Sequence, residues 1–545
     1  MKTTAVLVGC AMLVACQTTP SYSPDDLELA LSRIDADTML RHIRVLASDE
    51  FEGRRPGTRG EALTVEYLVS EFRKLGLKPG NLNGSYLQKV PLVGSRNRSE
   101  LSLNVGGERI ALSEPADFTA GSAWQVPEVR IDDSELVFVG YGVVAPEYGW
   151  DDYKSVDVRG KTVVMLPNDP QVPDPADPAK LDPAMFGGSS VTFYSQGDHK
   201  REVARQRGAV ARLTLFQPGM FGVPTWKDRT SVFGGEGVDT READNKLGEL
   251  GVGGEVNPEA AQRLFNASGM DLAALKKAAS RRDFQPVPMR IKATFRLTRT
   301  LRDVESHNVV ARLEGSDPVL RNEVVIYTAH WDHFGRDETL PGDQIFNGAL
   351  DNASGVAAML EVAKAFAALK TPPRRTVLFI ATTGEEDGLL GAKYYAAHPL
   401  FPLERTLAAL NIDIINVLGP TRDVAVVGLE KSTLGDRLSR LAEQNGRIAT
   451  ADLLPELGLY YRADHKEFAA AGVPSVWMRR GVDFIGKPAD FGRKRIAAYL
   501  ATDYHKVTDE VRADWDLSGA VADYRLYTRL GHAIAERAAT PYDNR

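Results

Sequence analysis

"EVVIYTAHWDHFG", Glu323 to Gly335, sets an apolar, β-branched run against two histidines and an aspartate. The run has the length and composition of a strand buried on both faces. Imidazole and carboxylate groups at the mouth of such a strand, here His330, Asp332 and His333, cost free energy to bury unless something holds them. A metal ion is one such thing, but a single His-x-Asp does not make a site. Any further ligands must come from other parts of the chain.

Working outward, the same arrangement recurs. Apolar runs at Glu323–Ala329, Thr376–Thr382, Leu407–Asp413, Asp423–Val427 and Pro474–Met478 alternate with helical stretches such as "SGVAAMLEVAKAFAALK". This predicts an α/β fold with a mostly parallel central sheet flanked by helices. In such sheets ligands bind beyond the carboxyl ends of the strands. The polar residues follow that rule: Asp351 in the loop "NGALDNASG", Glu385 and Glu386 after "TVLFIATTG", Asp413 at the end of "LAALNID", and His505 in "DYHKVTDE".

Each has an ordinary reading alone. An acidic pair suits a helix amino terminus, Asp351 could be an N-cap, and His505 a surface histidine. Five such groups at successive strand ends make chemical sense together as a two-metal hydrolase. Catalytic zinc takes His nitrogen and carboxylate oxygen and keeps a place for water. The charges of Asp351, Glu386 and Asp413 with one hydroxide would balance two Zn²⁺. Glu385 is left free as a general base, and Asp332 is placed to orient His330. Cobalt or manganese also suits such a ligand set.

The order "AHWDH", "GALDNASG", "TGEEDGLLG", "NIDI", "RADHKEF" and "YH" resembles the co-catalytic zinc aminopeptidase family, metallopeptidase family 28. "LASDEFEGRRPGTRG" (Leu46 to Gly60) resembles that family's amino-terminal segment, and "VFVGYG" with "VRGKTVVML" resembles a protease-associated insert. The resemblance implies a zinc-exopeptidase-like fold. His330 and Asp413 would bind one zinc, Glu386 and His505 the other, with Asp351 between them, Glu385 as base and Asp332 as orienting acid. It also implies a cis peptide at Asp351–Asn352. Asp464 and His465 match a family element near the substrate, although Ala463 replaces its serine, and Tyr460, Tyr461 and Arg462 flank it.

The implied activity is removal of amino-terminal residues from peptides. Three alternatives remain: a carboxypeptidase, a glutaminyl cyclase-like acyltransferase with one zinc, and a non-catalytic binding lipoprotein on the same fold. His333 reads as a supporting or structural residue, because "HWDH" lacks the helical spacing that puts two imidazoles on one metal. His42, His199, His307, His398 and His532 have no ligand context, and Trp331 reads as packing. Gly-rich "FGGEG" and "GVGGEVN" lack the setting of a phosphate loop and read as turns.

At 545 residues the chain exceeds one ordinary core. The expected division is a signal peptide at 1–15, a lipidated tether at 16–26, the first part of the catalytic domain at 27–124, a protease-associated insert at 125–297, and the main catalytic part at 298–545. Leu27–Leu77 reads as helical, Val90–Phe118 as short strands, and "HKREVARQRGAVARLTLFQ" as a helix leading into a strand. The net charge of −7, with no basic stripe, gives no reason to expect nucleic-acid binding. "LVAC" (Leu13 to Cys16) looks like a bacterial lipobox; the alternative "LVGC" ends at Cys10. Lipidated Cys16 would be the sole membrane contact of an exported cell-envelope protein. With Gln17 rather than Asp next, the outer membrane is favoured. Both cysteines fall in this segment, so the chain beyond it has neither a disulfide nor a cysteine ligand.

Overall fold

The structure is a computed structural model that describes residues 24–537 apart from 82, 221, 222 and 234. The leader with Cys10 and Cys16 lies outside these residues. Helices cover Ala36–Leu46 (α1) and Arg59–Lys74 (α2). The strands of the first half are Leu87–Val105 (β1), Phe118–Gly121 (β2), Glu128–Phe138 (β3), Thr162–Met165 (β4), Ala211–Leu215 (β5) and Val252–Val256 (β6). Val287–Leu313 (β7) and Val324–His330 (β8) lead to helix Ser354–Ala367 (α3). Strands Thr376–Thr382 (β9), Thr406–Asn411 (β10), Asp423–Val427 (β11), Ile448–Ala451 (β12) and Ser475–Arg480 (β13) follow. Helices Phe491–Thr502 (α4) and Ser518–Glu536 (α5) come last.

All these strands join one sheet in the order β12-β11-β13-β10-β8-β9-β7-β3-β4-β5-β6-β2, with β1 paired alongside β7. At its centre β9, β8, β10 and β13 run parallel, with Val324 opposite Thr376 and Ala409 opposite Ser475. The mostly parallel α/β centre expected from the apolar runs is therefore what forms. Both faces of these strands are buried, and alternate residues serve different cores. Val325, Tyr327 and Ala329 of β8 face a large core with α3 and α5, while Val324 and Ile326 face a smaller one with Tyr395 and Phe468. Among the described residues no helix is long and apolar enough to cross a membrane.

The short strands expected between Val90 and Phe118 are largely one 19-residue strand, β1, which pairs antiparallel with β7 from Leu87–Val309 to Val105–Ile291. Its length has a packing reason. One end of this ribbon joins the central sheet through β9, and the other lies in a second core with β3. That second core holds Leu101, Leu103, Phe118, Phe138, Leu213, Phe265 and Phe295, so residues ahead of 125 pack in it. "GVGGEVN" is not a turn: its centre is β6, parallel to β5 and antiparallel to β2. A Cβ on Gly254 would come within 2.9 Å of both Leu213 Cδ2 and Thr119 O, so glycine there serves close strand packing.

Tyr327 sits fully buried beneath the centre of the sheet and donates a hydrogen bond to the Tyr527 carbonyl of α5 at 2.9 Å. A Cβ on Gly531, one turn on, would overlap the Tyr327 hydroxyl. Gly531→Ala is therefore expected to destabilise the chain by about 1–3 kcal/mol through overpacking, measured as a lowered denaturant midpoint with unchanged slope.

Candidate metal centre

The predicted ligands converge where the parallel strands end. His330 is the last residue of β8, and Asp413 lies two residues beyond β10. Glu385 and Glu386 lie in the loop after β9, Asp351 in the loop before α3, and His505 just beyond α4. His330 Nε2 lies 3.3 Å from Asp351 Oδ1, 3.7 Å from Asp413 Oδ1 and 3.9 Å from Glu385 Oε2. His505 Nε2 lies 3.3 Å from Asp351 Oδ2 and 3.3 Å from Glu386 Oε2. Asp351 thus turns one carboxylate oxygen to each imidazole. Two overlapping sets bring their ligand atoms within 4.8 Å of one another: His330, Asp351 and Glu386, and His330, Glu385 and Asp413.

The donor set fits divalent cations. Asp413 Oδ1 is buried and has no hydrogen-bond partner, so an acceptor stands unsatisfied where a ligand atom is needed. His330 Nδ1 lies 3.2 Å from the Asp332 carbonyl oxygen. A carbonyl only accepts, so that contact holds the proton on Nδ1 and leaves the Nε2 lone pair facing the carboxylates. Burial pushes the carboxyls of Glu385 and Glu386 well above the ordinary range, with negative neighbours adding to it. Burial also lifts Asp332 to about 6 and Asp464 to about 7. Asp351 goes the other way: burial works against its charge, but hydrogen bonds from His330 and His505 hold it well below the usual value. Cations among these groups would favour the ionised forms throughout.

Supporting residues fix the loops. The Asp332 carboxylate lies 3.9 Å from His330 Nδ1 and accepts the peptide N–H groups of Glu385 at 3.1 Å and Glu386 at 3.3 Å. Its direct contact is thus with the acidic loop. His333 Nδ1 lies 2.5 Å from Glu386 Oε1, which makes it a neighbour of a ligand. Trp331 is fully buried and donates from Nε1 to the His307 carbonyl at 3.0 Å. The Asp351–Asn352 peptide is cis. Asn352 donates to the Ile412 carbonyl at 3.0 Å and accepts from Ile414 N–H at 3.2 Å, tying the Asp351 loop to the Asp413 loop. His505 has a φ of 58°, a conformation that a non-glycine residue rarely adopts and that functional sites often hold.

Four contributors were not singled out from the sequence, although Arg54 lies in "LASDEFEGRRPGTRG" and Asp509 in "DYHKVTDE". Asp509 accepts the N–H groups of Leu350 at 3.1 Å and Asp351 at 2.9 Å. Arg54 is 1% exposed and donates to the carbonyls of Leu46, Trp331, Asn347 and Gly348, pinning the amino-terminal segment to the β8 tip and the Asp351 loop. Arg479 and Arg480 line the same pocket as Asp351, Glu385, Glu386, Asp413 and His505. Of the residues expected near the substrate, Arg462 lines that pocket and donates to the Tyr504 hydroxyl at 3.0 Å. Asp464 is buried behind it and accepts from the Thr382 hydroxyl. His465 is fully buried between the rings of Tyr460 and Trp477, and Tyr461 packs edge-on against Tyr460. The ordinary histidines are elsewhere; His42, for example, bonds the Tyr67 hydroxyl at 2.6 Å.

The arrangement could hold divalent cations at the ends of the parallel strands. Residues 308–528 match the family model described as Peptidase family M28. A probable zinc metalloprotease of Leptosphaeria maculans is 35% identical over 131 residues, 24% of this chain and 27% of that protein. One of Pyricularia oryzae is 28% identical over 258 residues, 41% of this chain and 49% of its own length. The chain thus spans at most about half of these curated relatives. A solved aminopeptidase from Aneurinibacillus sp. strain AM-1 shares the fold, with a TM-score of 0.52 at 18% identity, across 94% of this chain and 97% of its own.

Removing a ligand should cost metal before it costs fold. His330→Ala and Asp413→Ala are each expected to weaken zinc binding by at least about a hundredfold, measured by competition with a chromogenic chelator. Near-normal affinity in either variant would remove that residue from the ligand set.

Proposed function

We propose that the chain is a zinc-dependent exopeptidase that removes residues from the amino terminus of peptides and works with two bridged zinc ions. The carrying observation is Asp351, whose two carboxylate oxygens each lie 3.3 Å from a different imidazole, those of His330 and His505. That spacing supports a carboxylate shared by two cations. His330 with Asp413, and Glu386 with His505, then complete the two ligand sets. Zinc held there supplies a Lewis acid for the scissile carbonyl and makes water more acidic.

The rest of the chemistry falls to the protein. Glu385 takes the proton of the attacking water and returns it to the departing amine. Burial of its carboxyl among other carboxylates suits that exchange, because cations on the neighbouring groups bring its proton affinity back toward the working range. Asp332 acts as a positioning residue, holding the peptide groups of Glu385 and Glu386. Arg462, beside the ligands, is proposed to contact substrate; Tyr460, Tyr461, Asp464 and His465 support that wall from behind. The choice of the amino end follows the activity in the name of the Aneurinibacillus protein. Residues 125–297 are proposed as a protease-associated insert between the two catalytic segments, 27–124 and 298–545.

The test uses zinc-loaded protein and peptides with free or acetylated amino termini, with products identified by mass. Stepwise loss of amino-terminal residues from free peptides alone is the expected result. Trimming from the carboxyl end would make it a carboxypeptidase, loss of ammonia from amino-terminal glutamine a cyclase, and no change a binding protein. Glu385→Gln is expected to keep its zinc while kcat falls by roughly 10²–10⁴-fold, the usual size of a general-base contribution.

A further inference from the structure

The pocket that contains the metal ligands also has a strongly cationic wall. Arg462, Arg479 and Arg480 line it together with Asp351, Glu385, Glu386, Asp413 and His505. The two consecutive arginines end β13, beside the strand that leads to Asp413. Arg480 is 5% exposed, and its Nε–H is buried without an acceptor. The Nε–H of Arg479 is likewise buried and unpartnered, while its guanidinium lies over the Trp477 ring at 4.5 Å. Burial lowers the pKa of Arg480 to about 10, and its charged neighbours include Arg479 and Arg495. Among carboxylates, Asp413 does most to oppose the desolvation of Arg479, and the metal reading commits Asp413 to a cation.

Two guanidinium groups, each with a buried Nε–H that meets no acceptor, are costly to maintain without an anion. The planar fork of arginine matches a carboxylate, and hydrogen bonds between ionised groups are among the stronger ones in proteins. The wall also carries Leu454, Leu457, Leu459 and Ile496, which would hold the carbon stem of a ligand whose end is charged. Divalent cations balance the ligand carboxylates, so those groups do not neutralise the arginines as well.

We infer that Arg479 and Arg480 recognise a carboxylate of the substrate and make this enzyme selective for peptides that carry one close to the scissile bond. This rests on the exopeptidase reading and narrows its substrate class. The carboxylate has two possible sources: the side chain of an aspartate or glutamate beside the bond, or the free carboxyl end of a di- or tripeptide.

Matched peptides separate these sources. Zinc-loaded full-length protein is assayed on pairs that differ as Glu to Gln or Asp to Asn at the first two positions, and on di- and tripeptides with free or amidated carboxyl ends. The expected result is a kcat/KM at least about tenfold higher for the anionic member of one set, the size of one charge-assisted hydrogen bond. The set that responds names the source. Arg479→Gln and Arg480→Gln should each bring that ratio toward one. Equal rates within every pair would overturn the inference and leave the exopeptidase reading intact.

If no peptide is cleaved at all, the exopeptidase reading fails, and calorimetry with glutarate judges the arginines separately. Binding weakened about tenfold by Arg480→Gln supports them, whereas equal binding to wild type and variant overturns them, since a carboxylate held only by zinc would ignore the change. Should Arg480→Gln fail to fold, Arg479→Gln, whose side chain is partly exposed, carries both comparisons.

Discussion

Everything around the centre answers to one electrostatic constraint: several carboxylates are buried within contact distance of one another at the ends of parallel strands. Asp332 is fully buried, Asp351 is 3% exposed, Asp413 5% and Glu385 9%. Water cannot screen such a group well, and each uncompensated charge costs several kcal/mol. Proton uptake is one relief, and the raised pKa values of Glu385 and Glu386 are its sign. Cations are the other, and they fit the unsatisfied oxygen of Asp413 as protons on its neighbours do not. The zinc in the names of the curated relatives is consistent with the second solution.

Holding the carboxylates in place before any cation arrives requires side chains that accept backbone N–H groups and one buried cation. Asp509 and Asn352 act on the backbone of the Asp351 loop, and Asp332 on that of the Glu385 loop. Arg54 spans four carbonyl oxygens across three segments. Its charge is far from water, and Asp332 and Asp509 are among the groups that oppose its desolvation. The amino-terminal segment is therefore part of the site although it supplies no ligand. The segment between β4 and β5 reaches the pocket as well: Val191 N–H donates to the Pro455 carbonyl at 2.9 Å, beside the Leu454–Leu459 wall.

How much of this was legible follows from where each residue's partner lies. His330, Glu386 and Asp413 could be found because each carries its own chemistry and follows an apolar run, so pattern and composition coincide; His505, beyond helix α4, was found through the order of motifs. Arg54, Asp509 and the Arg479–Arg480 pair were missed because their partners are backbone groups or a pocket wall built from distant segments, and no local spacing encodes those. β1 was read as shorter pieces because its burial pattern changes where it passes from one core to the other. β6 was read as a turn because glycine has two uses, positive φ and close approach, and only the neighbouring strands reveal which applies.

The contact of Asp332 shows why the order of residues at the strand tip matters. Its backbone carbonyl, not its carboxylate, sits against His330 Nδ1. The carboxylate is thereby free to receive two peptide N–H groups from the next loop. One residue so fixes the tautomer of a proposed ligand and the presentation of both glutamates, one proposed as ligand and one as base. A carboxylate held by N–H donors alone, at 3.1 and 3.3 Å, adds negative charge to a site already crowded with it. Burial lifts its pKa to about 6. Cations at the neighbouring ligands turn the same charge into a favourable interaction, so the geometry that is costly for the bare protein stabilises the metal-loaded one.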